Sequence, residues 1–148
     1  LIMRIFGLTG KFIRDPNIFA FGNFLLSAKK KEPILINSNR DVIRSYGFAG
    51  EIAKVSIKWL LSDENSTDLI NSCTHTINLL ELANLITDIY GLPDVIYDID
   101  MSLKKDIYIS PNTKFVNFLE NFNIKPSSIK NQIIETYKYL NNDLITKK

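Results

Sequence analysis

A chain of 148 residues, 45% hydrophobic and 23% charged, is enough for one domain and excludes a disordered or low-complexity polypeptide. Eighteen Lys and Arg against sixteen Asp and Glu leave a formal charge of +2, which gives no electrostatic case for a nucleic-acid partner or a membrane surface. The single Cys and single His exclude a disulfide framework and a Cys/His zinc centre, and the lone thiol fits a reducing, cytoplasmic compartment. The apolar runs are too short for a transmembrane helix or a signal peptide. The chain opens on a strand-like LIMRIF without an initiator Met, which leads us to expect a piece of something larger.

In chain order, residues 1–6 (LIMRIF) are apolar and rich in β-branched side chains, and Gly7 and Gly10 close them: a buried strand and a glycine turn are expected. Asp15-Pro16 has the form of an N-cap followed by proline at the first helical position. The helix expected there carries Ile18, Phe21, Leu25 and Ala28 on its buried stripe and ends in Lys29, Lys30 and Lys31, where cations favour a helix C-terminus. Residues 34–37 (ILIN) and 43–48 (IRSYGF) read as strands around the polar turn SNRD. Gly50 and Glu51 open a helix in which Ile52, Val55, Trp59 and Leu60 recur at helical spacing. Residues 69–72 (LINS) are a further buried strand. Asn78 with Glu81 three residues on is the asparagine form of a capping box. It starts a helix buried through Leu79, Leu82, Ala83, Ile86 and Ile89, which Gly91 and Pro93 end. Residues 95–99 and 106–110 are strand-like. Phe115, Phe118, Leu119 and Phe122 mark a short helix, and Ile129, Ile133, Tyr137 and Leu140 the last one. Strands alternating with helices, with no repeat and no linker, predict one α/β unit with some parallel pairing.

Few residues have the pattern of a chemical site. Residues 7–11 (GLTGK) follow a strand, but only two residues separate the glycines and Phe12 follows the lysine, whereas a Walker loop needs four residues there and Ser or Thr after the lysine. Ile13 stands where a dinucleotide fingerprint needs its third glycine, so an ordinary glycine turn is expected. His75 is expected in a polar, solvated loop, and Cys73 as a buried, inert thiol at a strand end. Asp94, Asp98 and Asp100 read as surface charge, and the lysines at 29–31 and 147–148 as solvated ends. Arg44 is different, because it stands inside a strand pattern with Tyr46 and Phe48 on its own face. A partly buried guanidinium needs an anion, and its planar fork fits a phosphate or diphosphate. A structural pair with a carboxylate such as Glu51 or Asp41 meets the same need, and the chemistry alone weighs the two evenly.

The order of RIFGLTG (4–10), FAFGNF (19–24), EPILIN (32–37) and IRSYGFAGEIAK (43–54) resembles the C-terminal half of the extended short-chain dehydrogenase/reductase family. Within that family it is most similar to the NAD-dependent nucleotide-sugar epimerases and dehydratases. LINSCTHTINLLELANLI (69–86) and the closing stretch 106–140 continue the likeness over nearly the whole chain. The resemblance implies an α/β fold in which residues 1–10 are a late strand and turn of a Rossmann-type sheet. The rest of 1–148 would then be the small α/β substrate-binding domain, with the NAD-binding half absent. It implies that Arg44 grips the diphosphate of a nucleotide sugar and that Asn23 and Phe24 face the sugar-nucleotide cleft. Phe6 would lie near the nicotinamide of NAD or NADP, largely through its backbone. Lys104 or Lys105 would replace an arginine as a second phosphate contact, as a point charge without the fork.

The departures from the family pattern bear on chemistry. Gly7 replaces an Asn that touches the substrate phosphate in many relatives, and Gly50, with Glu51 beside it, replaces a usual Asp. The glycine-rich NAD loop and the Tyr-x-x-x-Lys acid/base pair are both missing; no tyrosine here has a lysine four places on. In the family that pair handles the proton while the cofactor takes and returns a hydride at a sugar carbon. The leading expectation is therefore a C-terminal fragment of an NAD(P)-dependent nucleotide-sugar epimerase, dehydratase or 4-keto reductase, serving surface-polysaccharide sugar synthesis and inactive by itself. Its parent would be a homodimer through helices outside this chain. A stand-alone binding module or decayed remnant is the alternative, and a plain structural α/β domain with Arg44 merely paired is the third reading.

Overall fold

The computed structural model describes residues 1–63 and 68–142. Its elements run β1 (Ile2–Ile5), β2 (Gly7–Thr9), α1 (Ala20–Lys30), β3 (Leu35–Ile36), β4 (Val42–Phe48), α2 (Ala49–Leu60) and β5 (Leu69–Ser72). They continue with β6 (His75–Asn78), α3 (Leu79–Tyr90), β7 (Ile96–Tyr97), β8 (Asp106–Tyr108), α4 (Thr113–Asn121) and α5 (Ile129–Asn141). Among the described residues no helix is long and apolar enough to cross a membrane. The lysines at 147–148 lie outside the described residues.

The centre is β4. Its antiparallel neighbour β6 lies along one edge, with Ile43 opposite Asn78 and Tyr46 opposite His75. Along the other edge two short parallel strands follow one another: β8 beside Val42, Ile43 and Arg44, then β2 beside Tyr46, Gly47 and Phe48. Separate parallel pairs are β1 with β5 and β3 with β7. Gly47 joins the central sheet to the β1–β5 pair. A Cβ there would stand 2.0 Å from the Ser72 carbonyl oxygen, so only glycine allows the end of β5 to come this close.

Two apolar cores hold these layers. Phe21, Leu25 and Ala28 of α1 meet Leu82, Ala83 and Ile86 of α3 and Ile133 of α5 in the larger one. Val55, Ile70, Phe115 and Leu119 form the smaller one between α2, β5 and α4. Each fully buried Leu, Ile or Phe side chain contributes about 1.5–3 kcal/mol through apolar burial. Between α5 and β2 runs a polar seam. Thr9 Oγ1 donates to Gln132 Oε1 at 2.7 Å, the Gly10 N–H donates to Thr136 Oγ1 at 2.8 Å, and Gln132 Nε2 donates to the Ser127 carbonyl at 3.0 Å. Gln132 and Thr136 are fully buried, and these bonds meet the need of buried polar groups for partners.

Local signals worked where they were specific. Asn78 Oδ1 accepts the Glu81 N–H at 2.7 Å and starts α3, and β5 occupies the four residues expected of it. Three expectations are corrected. The helix does not start at Asp15-Pro16: that pair makes a turn, with the Ile18 N–H bonded to the Asp15 carbonyl, and α1 begins at Ala20. The turn folds back over α1, so that a Cβ on Gly22 would meet the Pro16 carbonyl oxygen at 2.4 Å. Ile18 is consequently 67% exposed instead of buried. The expected glycine turn after β1 is the strand β2, because β4 offers its unpaired edge there. Finally, β1 is a strand but not a buried one: Ile2 and Ile5 are 55% and 56% exposed, since β5 is its only pairing partner among the described residues.

Candidate ligand-binding cleft

Arg44 and Tyr46 alternate with buried Ser45 along β4 and line a cavity of about 570 Å³. Phe6, from the link between β1 and β2, forms another wall, and its ring packs against Tyr108 of β8 at 5.0 Å between centroids. The parallel registers of β2 and β8 on one edge of β4 bring these residues together. A second cavity, of about 240 Å³, is lined by Asn23, Phe24, Asn37 and Ser38. The two share Ile18, Phe19, Ala20 and Leu79, so they form the two ends of one cleft that passes the start of α1. Among the described residues no side chain caps α1 there, and its first turn holds no acidic residue. Its leading N–H groups, which have no partner within the helix, thus leave a positive dipole end beside the cleft.

The carboxylate that pairs with Arg44 is neither Glu51 nor Asp41. Arg44 Nη2 donates to Asp106 Oδ2 at 2.6 Å, while Nη1 donates to the main-chain carbonyls of Asp106 at 2.9 Å and of Ile43 at 3.0 Å. Three of the five guanidinium N–H groups are engaged in this way. The Nε–H and the second Nη2–H have no partner among the described residues. The bond from Arg44 holds the Asp106 carboxyl below the usual carboxylate range. Burial pushes the Tyr46 hydroxyl up to about 12 against the opposing pull of Arg44, so Tyr46 stays protonated and packs its ring 5.4 Å from that of Phe21.

The other residues singled out from the sequence are distributed as follows. Asn23 is exposed at the far end of the cleft, and Phe24 is 3% exposed, its ring part of the larger core. Lys105 pairs with Asp41 at 2.9 Å; Lys104 is exposed and has no ion-pair partner among the described residues. Neither lysine lines the cavity that holds Arg44. Cys73 is 1% exposed and burial pushes its thiol up, in keeping with an inert thiol. His75 is corrected: it belongs to β6, not to a solvated loop, and its Nε2 donates to the Ser127 carbonyl at 2.7 Å. Asp106 and Tyr108 carried no signal as site residues, because only the pairing of β8 with β4 puts them beside Arg44.

Glu51 serves a different purpose. It is 3% exposed, its carboxylate accepts the Ser127 N–H, and its second oxygen is buried without a partner among the described residues. Burial pushes its carboxyl above the ordinary glutamate value, against the pull of that bond and of the nearby His75 and Lys54. A raised carboxyl binds its proton more tightly in the folded than in the unfolded chain. Its contribution to stability is therefore fully present below the ordinary glutamate pKa and is lost as pH rises through the raised one. Glu51→Gln keeps the acceptor for Ser127 and removes the charge. Thermal melts across that window are expected to show its Tm gaining on wild type as pH rises; a gap independent of pH would contradict this account.

No family model and no curated protein matches the chain. Solved structures do. A UDP-glucuronic acid 4-epimerase mutant from Bacillus cereus, in complex with UDP-4-deoxy-4-fluoro-glucuronic acid and NAD, aligns with a TM-score of 0.69 at 16% identity over 94% of this chain and 44% of that one. The UDP-glucose 4-epimerase of Thermotoga maritima with UDP-glucose aligns at 0.67 and 18% identity, covering 96% of this chain and 46% of that one. The Thermus thermophilus UDP-glucose 4-epimerase complex with NAD gives 0.67 and 16%, with the same coverage. The chain thus spans less than half the length of these structures. At such identity the likeness establishes the fold, which is that of the C-terminal portion of the extended short-chain dehydrogenase/reductase epimerases.

Proposed function

We propose that this chain, with the fold of the C-terminal portion of the UDP-sugar epimerases, supplies the nucleotide-diphosphate-sugar grip of an NAD(P)-dependent nucleotide-sugar epimerase, dehydratase or 4-keto reductase. The observation that carries the reading is the position of Arg44, in a cleft that continues past the uncapped start of α1. Two cationic features on one path suit a ligand that carries two adjacent negative charges. The guanidinium offers its Nε–Nη2 edge to one phosphate, and the N-terminus of α1 favours the other. Asn23, Asn37 and Ser38 supply polar groups at the far end for the rest of an elongated ligand.

The residues present do not fit a dinucleotide cofactor. Gly7, Leu8 and Thr9 are paired in the ladder with β4, and the Gly10 N–H is bonded to Thr136, so the glycine segment has no phosphate cradle to offer. Without a Tyr-x-x-x-Lys pair the chain also lacks the family's proton-transfer groups. In this reading NAD or NADP is bound chiefly by an NAD-binding half outside these residues, with Phe6 at the boundary. The outer edge of β1 supports such a partner. Parallel strands are normally covered on both faces, yet Ile2 and Ile5 here are more than half exposed, and Ile5 lines a surface cavity with Leu60, which is 73% exposed. The buried thiol of Cys73 accords with a cytoplasmic setting.

The ion pair with Asp106 favours the rival reading, in which Arg44 is only structural. Calorimetric titration of the chain with UDP-glucose, and its displacement by inorganic pyrophosphate, separates the two. Saturable binding that pyrophosphate displaces is expected. Uridine binding as tightly as UDP-glucose, or no diphosphate-dependent heat at all, would overturn the proposal.

A further inference from the structure

Asp106 stands at the diphosphate site with a negative charge of its own. Its carboxylate is 48% exposed at the side-chain level and lies 2.6 Å from Arg44 Nη2, and its main-chain carbonyl accepts from Nη1. We infer that Asp106 is a specificity-determining residue of this site: an internal counter-anion that occupies the end of the guanidinium and sets how much anionic charge the cleft accepts. The inference rests on the reading of Arg44 as the diphosphate grip.

Asp106 takes one N–H from each terminal nitrogen, so a phosphate can reach Arg44 only along the Nε–Nη2 edge. Nη2 would then lie between two anions, the carboxylate on one of its hydrogens and a phosphate oxygen on the other. Like charges a few ångströms apart across a partly solvated guanidinium repel, and the repulsion grows with the charge of the ligand. The neighbouring charges do not cancel it. Lys105 is already paired with Asp41, and Arg40 acts on Asp106 only at a distance. Position in the fold keeps Asp106 in place: its N–H donates to the Asp41 carbonyl at 2.8 Å, and β8 is paired with β4. The carboxylate therefore cannot withdraw with the strand when a ligand enters.

Asp106→Asn is the appropriate test, because it keeps the shape, the main-chain bonds and an oxygen for Nη2 while removing the charge. Titrated with UDP-glucose at low salt, it is expected to bind about five- to tenfold more tightly than wild type, as a unit charge at this range predicts. Because the effect is electrostatic, the gain should shrink as salt is raised. In the Arg44→Ala background, where no cation stands between the carboxylate and the ligand, Asp106→Asn should still tighten binding relative to Arg44→Ala alone. Asp106→Ser is expected to shift affinity in the same direction, and it serves where the asparagine protein does not fold. Unchanged affinity, or weaker binding, in variants that fold would overturn the inference and make Asp106 a structural or positioning partner; wild-type binding that still depends on Arg44 would leave the reading of the cleft intact. Absence of UDP-glucose binding by wild type and variants alike would overturn both.

Discussion

Phe21→Ala is expected to remove about 3–5 kcal/mol of folding stability, the usual range for truncating a buried aromatic side chain. Phe21 is 1% exposed, at the point where α1 meets Tyr46 of β4. Two contributions add: the lost transfer energy of the ring, and the space left where it was. That space cannot collapse readily, because Tyr46 is fixed on a strand paired on both edges and α1 is held against α3 and α5. Domains of this size have about 5–15 kcal/mol in all, so the loss is a large share of the total. Urea unfolding should show it as a lower midpoint at an unchanged slope. Ile18→Ala is the matched control, taken from the same sequence stripe but 67% exposed, and should change stability by no more than about 0.5 kcal/mol. Comparable losses in the two proteins would mean that the core is assigned wrongly.

Arg44→Ala is expected to weaken nucleotide-diphosphate-sugar binding by about 1.5–3 kcal/mol, or ten- to 150-fold in Kd, with little change in stability. The size follows from losing a charge-assisted, two-point contact. It also follows from what is left behind, since Asp106 then faces the diphosphate with no cation between them. Folding should hardly notice, because the pair is partly exposed at both ends and such pairs contribute little. Arg44→Lys should recover only part of the binding. An ammonium cannot hold Asp106 and a phosphate on separate edges as a planar guanidinium does. Calorimetry and a thermal melt on the same samples test both halves. Binding equal to wild type in Arg44→Ala would return Arg44 to a purely structural role.

The sequence was most informative where a signal acts within one helical turn or along one strand. Asn78 and Glu81 set the start of α3, the run LINS became β5, and Cys73 is buried at a strand end. Arg44 was legible as a cation on a strand that needs an anion, since a charge amid apolar neighbours is conspicuous in any chain. The short strands β2 and β6 were not legible. Gly7 and His75 carry poor strand signals, and both strands owe their form to the edges of β4 that they complete. Pro16 misled for a related reason: it suits a helix start, but the close packing of its carbonyl on Gly22 makes it a turn.

What the residues alone determined, then, is the alternation of strands and helices, the two ends of α3 at Asn78 and Gly91, and the chemistry each side chain can offer. Those properties depend on neighbours three or four places away, or on intrinsic polarity, and survive in any tertiary context. Only the folded structure decided which anion meets Arg44, that Phe6 and Tyr108 wall its cavity, and that Asn23 lies at the other end of the cleft. The partner of Arg44 is 62 residues further along the chain. A contact of that span is set by the register in which β8 joins β4, and register depends on how whole faces pack, which no local pattern encodes.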